Sequence, residues 1–258
     1  LVGFWVEDPS HKDGGFLTRG KFLLDIDSRT NKILGYVLLP RKSYDSLAIR
    51  VLGNRLMDEH GLPIFGYYLE RGLWKRAHLI VGKAQSDEVE WAETERGMAQ
   101  FDLKIRHAIR ARSKPVERVL GALQSLMEAE PGYSSRNEIT QPNERFNRLK
   151  RDVDAHRVDP RKVFYSFERW DARLEELCER YNAARQTAGS KHTDGLSPND
   201  AFEKFKSKRE RRVEFDASIR FLWAYHHWPV VVGRMGIRKL GRRYYGAALG
   251  PLIGCEVI

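Results

Sequence analysis

One carboxylate near the middle of the chain is surrounded by basic residues. Glu117 has five of them close to it in sequence: Arg106, Arg110, Arg112, Lys114 and Arg118. A carboxylate can bind a divalent cation, and arginine and lysine can bind phosphates, so this combination suits metal-assisted phosphoryl transfer on nucleic acid. The same pattern also fits a plain helix start, where the positive end of the helix dipole favours an acid.

The residues around Glu117 predict the helix that would display it. Pro115 suits the first helical turn, because its missing N–H would have no partner there. Apolar residues then recur at steps of three and four: Val116, Val119, Leu120, Leu123, Leu126 and Met127. This spacing is typical of an amphipathic helix. We therefore expect Glu117 at the start of a helix that buries its other face.

The charge balance favours a polyanionic partner. The chain has 45 Lys and Arg against 35 Asp and Glu, a formal net charge of +10. Nucleic acid is the simplest such partner, although the charge alone also suits an anionic membrane surface. No apolar run approaches the roughly 18–20 residues that cross a membrane, so we expect no membrane-spanning segment. The function favoured below includes no membrane partner.

Cysteine usage and the first residues bear on the compartment. Cys178 and Cys255 give neither a disulfide framework nor a zinc spacing, which favours a reducing cytoplasm. The N-terminus has neither an initiating Met nor the regions of a signal peptide, so we expect the chain to begin inside a longer protein.

Hydrophobic periodicity in the first half predicts an α/β layered domain with a mixed sheet. Strands at 3–6, 21–27 and 33–39 would form an antiparallel meander, with residues 7–20 as a long hairpin connection. A helix at 43–60 with Ser43 as its N-cap, strands at 65–69 and 101–105, and the helix of Glu117 would follow.

The second half predicts fewer strands until its end. Residues 131–159 are typical of a long connection, and a helix is expected at 160–185 and another at 198–205. Short strands beyond residue 229, separated by glycines, indicate a small β-barrel. We therefore expect a core domain at 1–203, and a linker with the first part of a β-barrel at 204–258.

Several short segments, in order along nearly the whole chain, resemble the phage Mu transposase family of DDE transposases. The most specific are Asp-Ser-Arg-Thr-Asn-Lys-Ile-Leu-Gly-Tyr at 27–36 and Lys-Pro-Val-Glu-Arg at 114–118. The others lie at 61–63, 181–183, 196–202 and 236–244. The resemblance implies a ribonuclease H-like core, a mixed five-stranded sheet flanked by helices, followed by the start of a small β-barrel.

The resemblance also implies an activity. Members of this family nick the ends of a mobile element and join the freed 3′-OH groups to target DNA. Two Mg²⁺ or Mn²⁺ ions about 4 Å apart assist both steps. The expected partners are DNA, further copies of the same chain assembled on DNA, and an ATP-dependent target-selection protein. The expected location is the cytoplasm of a bacterial cell, with a phage or prophage as the source.

The resemblance assigns three acids to the metal site. Glu117 matches the third acid, and Glu70 stands where the family usually has Asp-Asn. Glu70 also fits the role of an exposed acid at a strand end, paired with Arg71. The first acid would fall just before Leu1 or near Val2, and Asp8 is a weaker candidate that also fits an Asp-Pro turn. Asp27 fits a turn-capping role better than a ligand role.

Basic residues of the barrel segment complete the predicted DNA contacts, which comprise Arg106, Arg110, Arg112, Lys114 and Arg118 with Arg238, Lys239, Arg242 and Arg243. Two other functions stay open at this point. A catalytically degenerate homologue would bind DNA in regulation or assembly, and a ribonuclease H-like nuclease would hydrolyse DNA without joining it.

Overall fold

A computed structural model describes residues 2–8, 14–40, 44, 46–61, 63, 66–69, 104–107, 115–134, 143–187, 192–205, 230–239, 242–244 and 246–257. The chain divides into two compact units, Leu1–Phe215 and Asp216–Ile258. The described strands of the first unit are β1 (Val2–Glu7), β2 (Gly15–Ile26), β3 (Ile33–Leu39), β4 (Gly66–Leu69) and β5 (Lys104–His107). Its described helices are α1 (Ser46–His60), α2 (Pro115–Met127), α3 (Glu144–Asp154), α4 (Pro160–Val163), α5 (Phe167–Ala183) and α6 (Pro198–Phe205). The predicted mixed α/β class is confirmed.

The first three strands form the antiparallel meander that the sequence predicts. The first half of β2 pairs with β1, and its second half pairs with β3. The prediction of a long connection over 7–20 is wrong, because β2 begins at Gly15. The glycines there make room for aromatic rings: a Cβ on Gly15 would collide with Trp5, and one on Gly20 with Phe4.

Helices cover both faces of this sheet. Phe22, Leu24 and Ile26 point to one face and pack against the core formed with α2 and α5. Residues of β3 on the other face meet α1, where a Cβ on Gly35 would lie 3.0 Å from a methyl group of Leu56. The core on the α2 and α5 side is almost fully buried, with Phe4, Val119, Leu123, Trp170 and Leu174 at its centre.

The longest of the described helices, α5, is fixed to the sheet by polar contacts as well as by packing. The Asn182 side-chain amide accepts a hydrogen bond from the Ile33 N–H and donates one to the Ile33 carbonyl, both at 2.9 Å. The Tyr36 hydroxyl donates to the Asp171 carbonyl at 2.9 Å. At the other end, Trp170 Nε1 donates to the Gly3 carbonyl at 3.3 Å. These contacts set the position of α5 relative to both β1 and β3.

The outer edge of β1 pairs with two connecting segments. Gly3 N–H donates to the Gly132 carbonyl at 2.7 Å, and Trp5 N–H donates to the Tyr165 carbonyl at 2.9 Å. Gly132 has φ of +86°, and a Cβ there would collide with the Gly3 carbonyl, so this close approach requires glycine.

Strands β4 and β5 pair in parallel, and the described residues show no ladder between this pair and the three-stranded sheet. The single five-stranded sheet therefore stays a prediction. The described strand Lys104–His107 overlaps the end of the strand predicted at 101–105, and residues 101–103 lie outside the described part of the chain.

Two helix predictions of the second half are corrected. Residues 131–159 are not one long connection, because α3 lies within them, capped by the Asn143 side chain that accepts from Phe146 N–H at 3.1 Å. The helix predicted at 160–185 is broken in two. Phe164 leaves the helix to enter a small core, and Ser166 then caps α5 by accepting from Arg169 N–H at 3.2 Å.

The second unit contains short strands close to the positions that the sequence predicts. They are β6 (Val230–Val231), β7 (Ile237–Lys239), β8 (Arg242–Tyr244) and β9 (Glu256–Val257), with a 3₁₀ helix at Ala247–Leu252. The pairs β6–β9 and β7–β8 are antiparallel. A closed barrel stays a prediction. None of the described helices is long and apolar enough to cross a membrane.

We expect Asn182→Ala to destabilise the first unit by about 2–4 kcal/mol, because it leaves two buried backbone groups of Ile33 without partners. Urea unfolding followed by circular dichroism measures the change. Glu179→Ala, at an exposed position of the same helix, is the matched control and should change stability by less than about 0.5 kcal/mol. Equal stability of the two variants would contradict the role given to Asn182.

Candidate functional site

Glu117 lies in the first turn of α2, as the sequence predicts. Pro115 opens the helix, and Val119, Leu123 and Met127 on the opposite face are buried. The Glu117 side chain is exposed at the helix start. Burial of one face therefore determines which face presents the carboxylate.

The basic residues predicted around Glu117 are only partly described. Arg118 is exposed beside it, and Arg106 is exposed on β5. Burial raises the pKa of the Tyr181 phenol, and the charge of Arg118 acts in the opposite direction, which places Arg118 near α5. Arg110, Arg112 and Lys114 lie outside the described residues.

Of the other two predicted acids, the structure describes only Asp8. Glu70 lies outside the described residues. Asp8 directly follows β1, and its N–H donates to the Gly14 carbonyl at 3.1 Å, which fits its interpretation as a turn residue. Within the described ranges, no three His, Cys, Asp or Glu side chains are grouped so that they could hold a metal ion.

Asp27 has the capping role expected of it. Its Oδ1 accepts hydrogen bonds from the Arg29 N–H at 3.2 Å, the Thr30 N–H at 3.0 Å and the Thr30 hydroxyl at 2.9 Å. These three bonds fix the turn between β2 and β3. The carboxylate is consequently engaged in local structure.

A second aspartate on β2 was not among the predicted site residues. Burial raises the pKa of the Asp25 carboxyl to about 6; a hydrogen bond from Ile26 N–H opposes this shift, and the charge of Asp27 adds to it. Perturbed pKa values of this kind occur at functional sites and also in structural networks. The position of Asp25 between apolar neighbours in Phe22–Ile26 was the sequence signal that could have revealed it.

Asp25 is also close to the second sheet. Burial raises the pKa of the Tyr67 phenol, and the Asp25 carboxylate raises it further. The side chains of β2 and β4 therefore interact electrostatically, although the described residues show no ladder between these strands. Asp25 faces away from the core of α2 and α5, since its neighbours Leu24 and Ile26 point into that core.

The predicted DNA-contacting residues of the second unit lie on one antiparallel pair of strands, β7 and β8. Arg238 pairs with Arg243, and Lys239 pairs with Arg242, across β7 and β8. Arg238 and Arg243 are exposed. Like charges directly opposite each other destabilise a hairpin, so a bound polyanion would stabilise this one.

Sequence reasoning also missed the basic surface of α3, because residues 131–159 were interpreted as a connection. The signal was present: Asn143 is a good N-cap, and Phe146, Leu149 and Val153 follow at helical spacing. Glycine, serine and proline just before Asn143 obscured it.

No protein-family model matches the sequence, and a search of curated proteins finds no match either. The assignment of function consequently depends on the residue pattern and on the geometry described above.

The raised pKa of Asp25 gives stability a specific pH dependence. The folded value of about 6 lies above the ordinary 3.8, so the neutral carboxyl favours folding. This contribution is complete below about pH 3.8 and is lost as the pH rises through 6; it amounts to about 3 kcal/mol. We expect the stability of Asp25→Asn relative to wild type to increase by about that amount between pH 3.5 and 7.5. Urea unfolding measures the stability of both proteins across this pH range. A constant difference in stability between Asp25→Asn and the wild type would contradict the prediction.

Proposed function

We propose that this chain carries the catalytic core of a DDE-type DNA transposase, similar to the phage Mu family, which nicks element ends and joins their 3′-OH groups to target DNA. The observation that carries the proposal is Glu117, an exposed carboxylate in the first turn of α2 with Arg118 beside it. It stands at the point where the resemblance requires the third metal-binding acid.

The order of the described elements supports the proposed ribonuclease H-like core. An antiparallel meander is followed by α1, by two strands that pair in parallel, and by α2. A mixed sheet requires both kinds of pairing, and β4 with β5 supplies the parallel kind. The single five-stranded sheet is part of this proposal.

The family resemblance puts the first acid of the proposed set just before Leu1 or near Val2. In the proposal, that acid would act with Glu70 and Glu117.

Carboxylate oxygens are the ligands that Mg²⁺ and Mn²⁺ prefer, so Glu117 has suitable chemistry, and the proposed set adds Glu70 and the upstream acid. Bound divalent ions would stabilise charge on the attacking and leaving oxygens of the phosphate. The protein's own part is to hold those oxygens and the DNA. Arg106 and Arg118 would bind phosphates beside Glu117, and neither step requires a covalent intermediate with the protein.

The same proposal covers the partners. The exposed Arg238 and Arg243, with Lys239 and Arg242 on the same hairpin, would contact DNA along its backbone. Assembly of several copies on DNA, and a separate ATP-dependent protein for target selection, are proposed from the family resemblance.

A second candidate is a DNA-binding homologue without catalytic activity. The observation that favours it is Glu70, which replaces the usual aspartate with a side chain one methylene longer. That extra length displaces the carboxylate by about 1.5 Å relative to the backbone, which a site with fixed metal positions tolerates poorly.

We expect Glu117→Gln to reduce strand transfer at least about 100-fold, because it removes a charged metal ligand. The assay uses the full-length protein, Mn²⁺ and pre-cut DNA ends, with joined products separated on a gel. Binding of the same DNA without metal should stay unchanged. Glu203→Gln, at an exposed position of α6, is the control and should join DNA as the wild type does.

Three results of this assay would point elsewhere. Normal joining by Glu117→Gln would contradict the proposed role of Glu117. Hydrolysis by the wild type without any joined product would indicate a nuclease. DNA binding by the wild type with no reaction would indicate the non-catalytic homologue.

A further inference from the structure

The apolar face of helix α3 is buried inside the protein. Phe146 and Val153 are buried, Leu149 packs beside them, and Phe146 meets the Phe164 ring edge to face at 5.8 Å between ring centroids. Arg19 of β2 lies over the Phe146 ring, 5.2 Å from its centroid. The helix is therefore held against the first unit, and only its polar face is available to a partner.

That polar face carries arginines at regular spacing. Arg145, Arg148 and Arg151 are exposed and follow one another at steps of three residues. They span about 9 Å along the helix axis, at 1.5 Å per residue. Arg151 Nε donates to the Asn147 carbonyl at 3.4 Å, and in the described part of the chain neither Arg145 nor Arg148 forms an ion pair.

Most of the acids near these arginines are engaged with other groups. Asp154 pairs with Lys150, and Asp152 pairs with Arg157 at 3.2 Å. Asp159 accepts from the Arg161 N–H at the start of α4. Glu144, in the first turn, is at the end of the helix where the dipole favours an acid. The arginine face thus keeps a net positive charge.

We propose that this arginine face of α3, formed by Arg145, Arg148 and Arg151, binds the phosphate backbone of duplex DNA. Neighbouring like charges on a helix repel each other, and a polyanion relieves that repulsion. The planar guanidinium group matches phosphate oxygens with two parallel hydrogen bonds. The identity of the polyanion as DNA rests on the proposed function, whereas none of these three arginines is among the residues predicted to contact DNA.

The dimensions and chemistry of the face define the mode of binding. Phosphates of one strand are spaced at 3.4 Å along the duplex axis, so about 9 Å reaches two or three of them. Arginine contacts of this kind position DNA without reading its sequence. An anionic membrane is a poorer occupant, because an interfacial helix inserts its apolar face, and that face of α3 is buried in the protein.

The test compares two double variants with the same change in charge. Arg145→Gln with Arg148→Gln removes the two arginines that have no described ion pair. Arg180→Gln with Arg185→Gln removes two exposed arginines at and after the end of α5 and is the matched control. Binding of the full-length protein to fluorescent duplex DNA of random sequence is measured by anisotropy over a range of salt concentrations, without divalent metal.

We expect the α3 variant to bind DNA about 10-fold or more weakly at 0.1 M salt, and the slope of log K against log salt to fall by about 1.8 in magnitude. The control variant should keep the wild-type slope. Circular dichroism and urea unfolding should show both variants folded as the wild type is, since these arginines are exposed.

Several results would overturn the proposal. Equally weakened DNA binding by both double variants would show that only the total charge matters. Unchanged DNA binding by the α3 variant would show that the arginine face of α3 does not bind DNA. Loss of binding to duplex RNA or to phosphatidylserine-containing vesicles, with DNA binding intact, would assign the face to another partner. The binding assay contains no divalent metal. Its result therefore does not depend on whether Glu117→Gln reduces strand transfer.

Discussion

The structure of the first unit depends on how α5 is fixed across the three-stranded sheet. The Asn182 amide satisfies both backbone groups of Ile33 at one end of the helix, and Trp170 reaches the Gly3 carbonyl at the other. Arg173, between them, donates to Glu130 at 2.9 and 2.6 Å and so connects the helix to the chain that follows α2. Buried polar groups tolerate little displacement, because a lost partner costs more than a shifted apolar contact.

The proposed site is a consequence of this arrangement. Because α5 and the sheet bury Val119, Leu123 and Met127, the helix α2 can present only its opposite face, and Glu117 is on that face. The arginine face of α3 arises in the same way, since Phe146 and Val153 are buried and the arginines remain outside. In both helices, apolar packing selects the charged surface that a DNA partner would meet.

The aspartates described above lie in two different kinds of environment. Asp27 is engaged by turn N–H groups, and Asp152 and Asp154 pair with basic side chains other than the three arginines of the α3 face. Asp25 is different: burial raises its pKa to about 6, and it interacts with Tyr67 of β4. The side chains of β2 and β4 thus interact electrostatically at a carboxyl group whose pKa is about 6.

The sequence by itself determined the meander, the start of α2 at Pro115, the exposed Glu117 and the capping role of Asp27, because each depends on local periodicity or on bonds within a few residues. Only the tertiary structure decided the rest. In the structure β2 begins at Gly15, where the glycine makes room for an aromatic ring and does not form a turn. The helix is interrupted near Phe164, because this side chain packs into a separate core. The structure also revealed that Asp25 is partly buried. These features depend on contacts between residues far apart in the chain, which local spacing does not encode.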